Sequence, residues 1–368
     1  GYKALYSQNS DSDNENTHNT AVGGGAGFYN VTGQYNTWMG IDAGQGASGQ
    51  SNSKNTGIGA IALNAITTGG ANIAIGFSAA RALTTGSDNV AIGASGAVVS
   101  GALRNSTDVD KAIAIGAGAM VADATSAADG TVAIGYSALT ALTSGAKNIA
   151  IGESAMASMT TGQRNIAIGT AALQHSDTGE NNIAIGYGAM YDQNVGGAGN
   201  AADSDHNIAV GSLAMSGAWA DAKSENNIAI GSSTMAAVMD GALNNTAVGH
   251  LSLSAVTTGD GNVSIGQSAG VAITSGAYNV AVGFEALRDQ STASSNTAIG
   301  TNALSNSEAA DNTAVGQSAG DTIISGTENT LLGYNVDVAS EDNTNNVIIG
   351  NNLTATDKDN AVFIGNNT

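Results

Sequence analysis

The chain is written in one short phrase repeated along its length: a β-branched residue, a small residue, an aliphatic residue, then Gly. That Gly falls at 23, 40, 59, 76, 93, 116, 135, 152, 169, 186, 211, 231, 249, 266, 283, 300, 316, 333, 350 and 365, and Gly1 opens the series because Gly1-Tyr2-Lys3-Ala4-Leu5 matches Gly135-Tyr136-Ser137-Ala138-Leu139. Eleven of the twenty intervals are 17 residues and the rest run from 15 to 25. The residue before Gly is Ile, Val, Leu or Met in all twenty coils, and the residue three before it is Ile, Val or Thr. A fixed period of this kind is the signature of a solenoid, in which each coil buries its apolar side only by stacking on its neighbours.

Comparing Asn148-Ile149-Ala150-Ile151-Gly152 with Asn165-Ile166-Ala167-Ile168-Gly169 assigns a role to each column. β-branched residues at period two predict a short strand, with the two aliphatic side chains facing the inside of the coil. Gly then allows a corner or a close backbone approach that a Cβ would block. Ala three residues after Gly, then Ala, Leu, Met or Gly, then often an aliphatic seventh residue (Leu83, Leu142, Met159, Val256, Ile273) predict a second short strand. A Thr-Thr-Gly or Thr-Ser-Gly turn, as at 84–86, 143–145 and 274–276, returns the chain to the next Asn. That Asn, four before Gly, occupies 17 of 20 coils, with Ala112, Thr131 and Ala361 as the exceptions. Stacked coils put such amides about 4.8 Å apart, which predicts a structural ladder through Asn72, Asn89, Asn148, Asn165 and Asn182, each tolerating the turn conformation of a corner.

The small residue between the two aliphatic ones bears on assembly. If the aliphatic residues face inward, then Ala74, Ala91, Ala150, Ala167, Ala184 and Ala229 form the outer face, and a strand apolar on both faces is buried on both. This predicts a parallel homotrimer with the Ala column near the axis, where small side chains let protomers approach. Trp38 interrupts that column, and Leu331, Ile348 and Phe363 replace it at the end, so 1–333 reads as a repetitive roll with insertion loops and 334–368 as variant coils of the same solenoid. The repeat register begins and ends inside a coil, which predicts a longer natural chain.

Composition sharpens this picture. Gly is 51 of 368 residues, while Pro and Cys are absent, so the chain is neither collagen nor a disulfide scaffold. With ten Lys and Arg against thirty Asp and Glu, the formal charge of −20 repels phosphate backbones and anionic lipid, and nucleic-acid partners are not expected. No apolar run approaches the roughly 20 residues of a membrane helix.

The phrase Asn-Ile-Ala-Ile-Gly-x-x-Ala-Leu with Thr-Thr-Gly turns resembles the head repeats of trimeric autotransporter adhesins of the YadA type. It is still more similar to the Gly-Tyr-x-Ala-Leu-Tyr-Ser repeats of phage tail fibres, here Gly1-Tyr2-Lys3-Ala4-Leu5-Tyr6-Ser7. The resemblance covers the whole chain and implies a trimeric left-handed parallel β-roll used for attachment. On that reading the protein is an extracellular, host-attachment fibre of a virion that recognises a cell-surface glycan or protein. A bacterial surface adhesin is the alternative, and the 17-residue period, longer than in the adhesin heads, favours the fibre.

Candidate contacts sit where the repeat is interrupted, at 6–18, 99–111, 122–130, 191–206 and 217–225, all rich in Asp, Asn, Ser and Gly. A coil that keeps its strands in register expels extra residues only at a turn, so these segments are expected to project sideways and carry receptor contacts, with Trp219, Tyr191, Asp203, Asp205 and Tyr187 the leading residues. Tyr187 belongs to a row of aromatics following the corner Gly: Tyr2, Phe77, Tyr136, Tyr187, Phe284 and Tyr334. Asp11, Asp13 and Glu15 have the alternating carboxylates of a calcium loop but lack its Gly and distal Glu. The four His are scattered, no cofactor fingerprint occurs, and no helix follows the repeated Gly to build a nucleophile elbow, so an enzyme is not expected. An ice-binding face would need a regular Thr array, whereas the repeated Thr pairs lie in turns.

Overall fold

The computed structural model describes residues 1–8, 17–94, 101–192, 204–219, 222–356 and 358–366. The protein is an all-β solenoid of coils about 17 residues long, divided into two compact units, Gly1–Asn181 and Asn182–Thr368. In the first unit nine three-residue strands, from β1 (Thr20–Val22) to β9 (Ile166–Ile168), pair in parallel with the strand of the adjoining coil. The second unit holds eleven, from β10 (Ile183–Ile185) to β20 (Val362–Asn366), of which the last two lengthen to five residues. The motif stays in register throughout each unit: Ile149 lies opposite Ile166 and Ala150 opposite Ala167 in the first, and Ile208 opposite Ile228 and Ala209 opposite Ala229 in the second.

The strand has the predicted alternation with the opposite phase. Ala74, Ala91, Ala150 and Ala167, and in the second unit Ala184 and Ala229, are fully buried in the coil, whereas the flanking Ile and Val are half-buried or exposed. The expectation that the Ala column is the outer face is therefore corrected. The reason is width: the interior already receives Ala and Leu or Met at the third and fourth places after Gly, as with Ala138 and Leu139, and an aliphatic seventh residue such as Leu142. One Cβ per strand completes a packed coil, and two rows of Ile would not fit at native density.

The stretch after Gly is also not a second strand. Residues two and four places on, such as Ser154 and Met156, have φ near +56° and +51°. Left-handed backbone costs an ordinary residue about 1–2 kcal/mol, and two inter-coil hydrogen bonds offset it here: Ser154 N donates to Tyr136 O at 2.9 Å and Met156 N to Ala172 O at 3.0 Å. The twist also aims the Met156 side chain inward, where its burial contributes about 1.5–3 kcal/mol.

The corner Gly behaves as expected. Gly152 has φ +141°, and a Cβ there would lie 2.4 Å from the carbonyl oxygen of Gly169, so only a residue without a side chain lets successive corners stack.

The Asn ladder is present and wholly internal. Asn72 donates from its backbone N–H and Nδ2 to Asn55 Oδ1 at 2.9 and 3.1 Å, and its Nδ2 also donates to the turn carbonyl of Gly86. Asn89 repeats this on Asn72, and Asn165 on Asn148. In the second unit Asn182 Oδ1 accepts from Asn207 N. The Asn residues themselves do not take up left-handed backbone; the residue before each does, as with Lys147 at φ +64°. The ladder ends where the column fails, since Asn346 Nδ2 is buried without a partner beside Ala361, whose N–H still donates to Asn346 Oδ1.

Trp38 shows how the coil conserves volume. Its ring lies wholly inside, and the neighbouring interior positions are Gly27, Gly44 and Gly57, where a Cβ would come within 2.8, 2.4 and 2.8 Å of the indole. In the second unit Leu331 and Ile348 take the Ala column and join a core running from Ala269 through Val336, Val338 and Ala355. The coils after 333 continue the same strand ladder.

Candidate functional surface

Each strand turns two side chains outward, and stacking aligns them into two columns. In the first unit the column before Gly runs Val22, Met39, Ile58, Ile75, Ile92, Ile115, Ile134, Ile151 and Ile168. Its companion is Thr20, Thr37, Thr56, Ile73, Val90, Ile113, Val132, Ile149 and Ile166. Parallel stacking at about 4.8 Å makes this a strip roughly 40 Å long, and two side chains in width give it an area on the order of 400 Å². That equals the size of the largest apolar patch on an ordinary monomer, concentrated here on one face of a parallel sheet. The second unit carries the same strip, with Ile230, Ile265, Ile299 and Leu332 among its exposed members. Outward Thr runs for only three coils in line, at Thr20, Thr37 and Thr56 and again at Thr297, Thr313 and Thr330, before aliphatic residues resume.

The insertions divide into two kinds. Residues 101–111 do not project, because Ala102 and Leu103 take the interior places of a regular coil and Leu103 N bonds Ala119 O at 3.0 Å. Likewise Ala124 and Ala128, the latter in a 3₁₀ turn at Ser126–Ala128, are buried. For these segments the expected sideways projection is corrected: a coil lengthened at a turn still has to close its interior, and it does so with its own Ala and Leu. Most of 6–18 and 191–206 lies outside the described residues, as do Asp11, Asp13, Glu15 and Asp203. Among the described residues no three acidic or His side chains converge as for a metal ion.

Trp219 is not an exposed contact. It is 1% exposed, eight residues after Gly211, the place Met239 fills after Gly231, and its backbone N–H donates to Asp192 O at 3.1 Å, while its indole N–H is buried without a partner. An aromatic ring on an interrupted coil is read from sequence as a surface anchor, but its register already marks it as core. Tyr187, by contrast, is 62% exposed on its corner, Tyr191 is partly exposed, and Asp205 is half-buried with its carbonyl bonded to Asn226 N. The other corner aromatics, Tyr2, Phe77 and Tyr136 in the first unit and Phe284 and Tyr334 in the second, are also open to solvent. Within each unit they stand three to five coils apart, or about 14–24 Å at 4.8 Å per coil, so they are separate side chains rather than one platform.

One carboxylate is buried among the described residues. Asp337, in the coil that follows Gly333, accepts from Thr322 N at 3.1 Å and Val338 N at 2.8 Å, and loss of water around it raises its pKa to about 7, helped by a hydrogen bond shared with Asp321. Sequence reasoning passed over this group and also a notch around Gly24 and Gly25, for which the only signal was a run of three consecutive glycines. No helix among the described residues is long and apolar enough to cross a membrane.

No protein-family model matches the chain, and it shows no significant similarity to any curated protein.

Proposed function

We propose that this chain forms a parallel homotrimer, a left-handed β-roll that serves as the shaft and attachment surface of an extracellular virion fibre. The observation that carries the reading is the outward aliphatic residue before Gly on each strand, joined in most coils by a second outward Ile or Val and in the others by Thr. Exposing β-branched residues at this density to water is unfavourable, and a second and third copy of the same strip, related by an axis along the coils, would cover it along its whole length. The trimer contact is therefore assigned to the aliphatic columns and not to the Ala column.

A shaft held by its own strands has no need of a catalytic centre, and its other surface, acidic and varied at the corners, is the part free to meet a receptor, whether glycan or protein. The sequence resemblance to tail-fibre repeats supports the same setting.

Light scattering on the purified chain should give three times the monomer mass. Replacing Ile134 and Ile151 with Lys should yield a folded monomer that no longer binds cells the trimer binds. A monomeric wild-type chain would overturn the proposal.

A further inference from the structure

In the first unit, the residues one and two places after the corner Gly stack in columns, and in the coil that begins at Gly23 both places are Gly, which happens in no other coil. Gly24 and Gly25 thus leave a notch of about 240 Å³ between the coil before and the coil after, walled by Tyr2, Lys3 and Phe28 on one side and Ile41, Asp42 and Gln45 on the other. The aromatic wall is assembled: Phe28 stacks on Tyr6 at 5.0 Å and meets Tyr29 edge-on at 4.5 Å, and the Lys3 ammonium lies 5.2–5.6 Å from the rings of Tyr6, Tyr2 and Phe28. The polar wall is held as well, since Gln45 Nε2 donates to Asp42 Oδ1 at 3.2 Å and Asn64 Nδ2 donates to Gln45 Oε1 at 3.2 Å. Asp42 Oδ1 leans over Gly25, where a Cβ would come within 2.1 Å of it.

We propose that this notch binds one pyranose ring of a saccharide. Its size is just under the range of small-ligand sites, about 300–1,000 Å³, so it suits a single ring better than a larger cofactor. The chemistry narrows the choice further. An organic cation would have to displace Lys3 from the ring faces, and a phosphate would meet the Asp42 carboxylate with only one ammonium in its favour. A neutral polyol fits both walls: the C–H face of a sugar packs on the Tyr2 and Phe28 rings, while its hydroxyls donate to Asp42 and accept from Lys3. This gives the attachment reading a ligand class, and it rests on that reading only for its biological setting.

The test uses the intact chain and saturation-transfer NMR with free glucose, galactose, mannose and N-acetylglucosamine. Gly24 is the informative position, because its backbone is not left-handed and a Cβ would touch only Tyr2 O, at 3.8 Å. Gly24→Leu should fill the notch, leave the melting curve unchanged and abolish transfer, and Asp42→Asn should weaken binding by about tenfold, the usual loss for a charged hydrogen-bond partner. If Gly24→Leu fails to fold, Tyr2→Ala, at an exposed side chain, reports the same loss. Transfer from none of the four sugars to the wild-type chain overturns the proposal, and so does binding that persists in Gly24→Leu and Tyr2→Ala. Loss of sugar binding in Gly24→Leu while cell binding continues supports the notch and counts against its use in attachment.

Discussion

The two faces of each strand carry apolar residues of different size, and the protein uses them oppositely. The inner face holds one residue per coil, Ala in most, sealed among Leu, Met and the Asn amides, and at Trp38 the added volume is matched by Gly27, Gly44 and Gly57. The outer face holds two larger side chains per coil, half-buried or exposed, with no covering element among the described residues. The smaller residue is thus the one under tight packing constraint. Hydrophobic bulk on this solenoid measures what is left for a partner, and small size measures what is already closed.

The strongest way to break this comparison is to charge the two faces in turn. Ala150→Glu together with Ala167→Glu buries two unpaired carboxylates, each costing several kcal/mol, and should unfold the first unit as read by circular dichroism in a urea series. Ile134→Lys with Ile151→Lys should leave the unfolding midpoint of the same unit nearly unchanged once compared at equal oligomeric state. Equal destabilisation by both pairs would sink the assignment of inner and outer faces.

The next effect concerns volume. Trp38→Ala removes the largest buried side chain of the first unit and should cost about 3–5 kcal/mol. Gly44→Ala in the wild-type chain pushes a Cβ to 2.4 Å from the indole and should also destabilise, but much less so in a Trp38→Ala background. A double-mutant cycle in urea measures that coupling, and its absence would show that the glycines are not there to make room.

Asp337 tests the inner face with pH. Its pKa in the folded protein lies above that of an unfolded Asp, so the folded state holds the proton more tightly; the stability this contributes is full below about pH 4 and is lost as pH rises through 7. The second unit should therefore unfold at lower urea at pH 8 than at pH 5, by about 2–3 kcal/mol, because part of the contribution is already lost by pH 5. Asp337→Asn should flatten that dependence. A midpoint independent of pH in the wild-type chain would mean that Asp337 is ionised and solvated.

The smallest change expected at the inner face is Asn165→Ala, which removes one rung and leaves Asn148 Oδ1 without its side-chain donor, for about 1–3 kcal/mol. Its exposed neighbour Arg164, paired with Glu180, should be replaceable by Ala with a change below about 1 kcal/mol. Thermal melts of the two variants side by side decide whether the ladder or the surface ion pair matters.

Much of the architecture was legible in the residues. The period determined the coil, the invariant Gly the stacking corner, and the Asn column a hydrogen-bonded ladder, because each role needs a residue type that little else can replace. The row of corner aromatics was also recognisable, but their exposure was not. Trp219 was misjudged because its segment was read as an insertion, although its distance from Gly211 matches an interior place filled by Met239 next door. The notch went unseen because absent side chains leave no chemical signature until the coils above and below are placed.

What the sequence determined by itself was therefore periodicity: which residues align, and that alternate side chains point to opposite sides. What only the tertiary structure decided was which side is in. An Ile-Ala-Ile strand is apolar in both phases, so alternation carries no sign. The sign comes from the space left by the left-handed stretch after Gly, whose Leu and Met fill the coil until a single methyl group completes it.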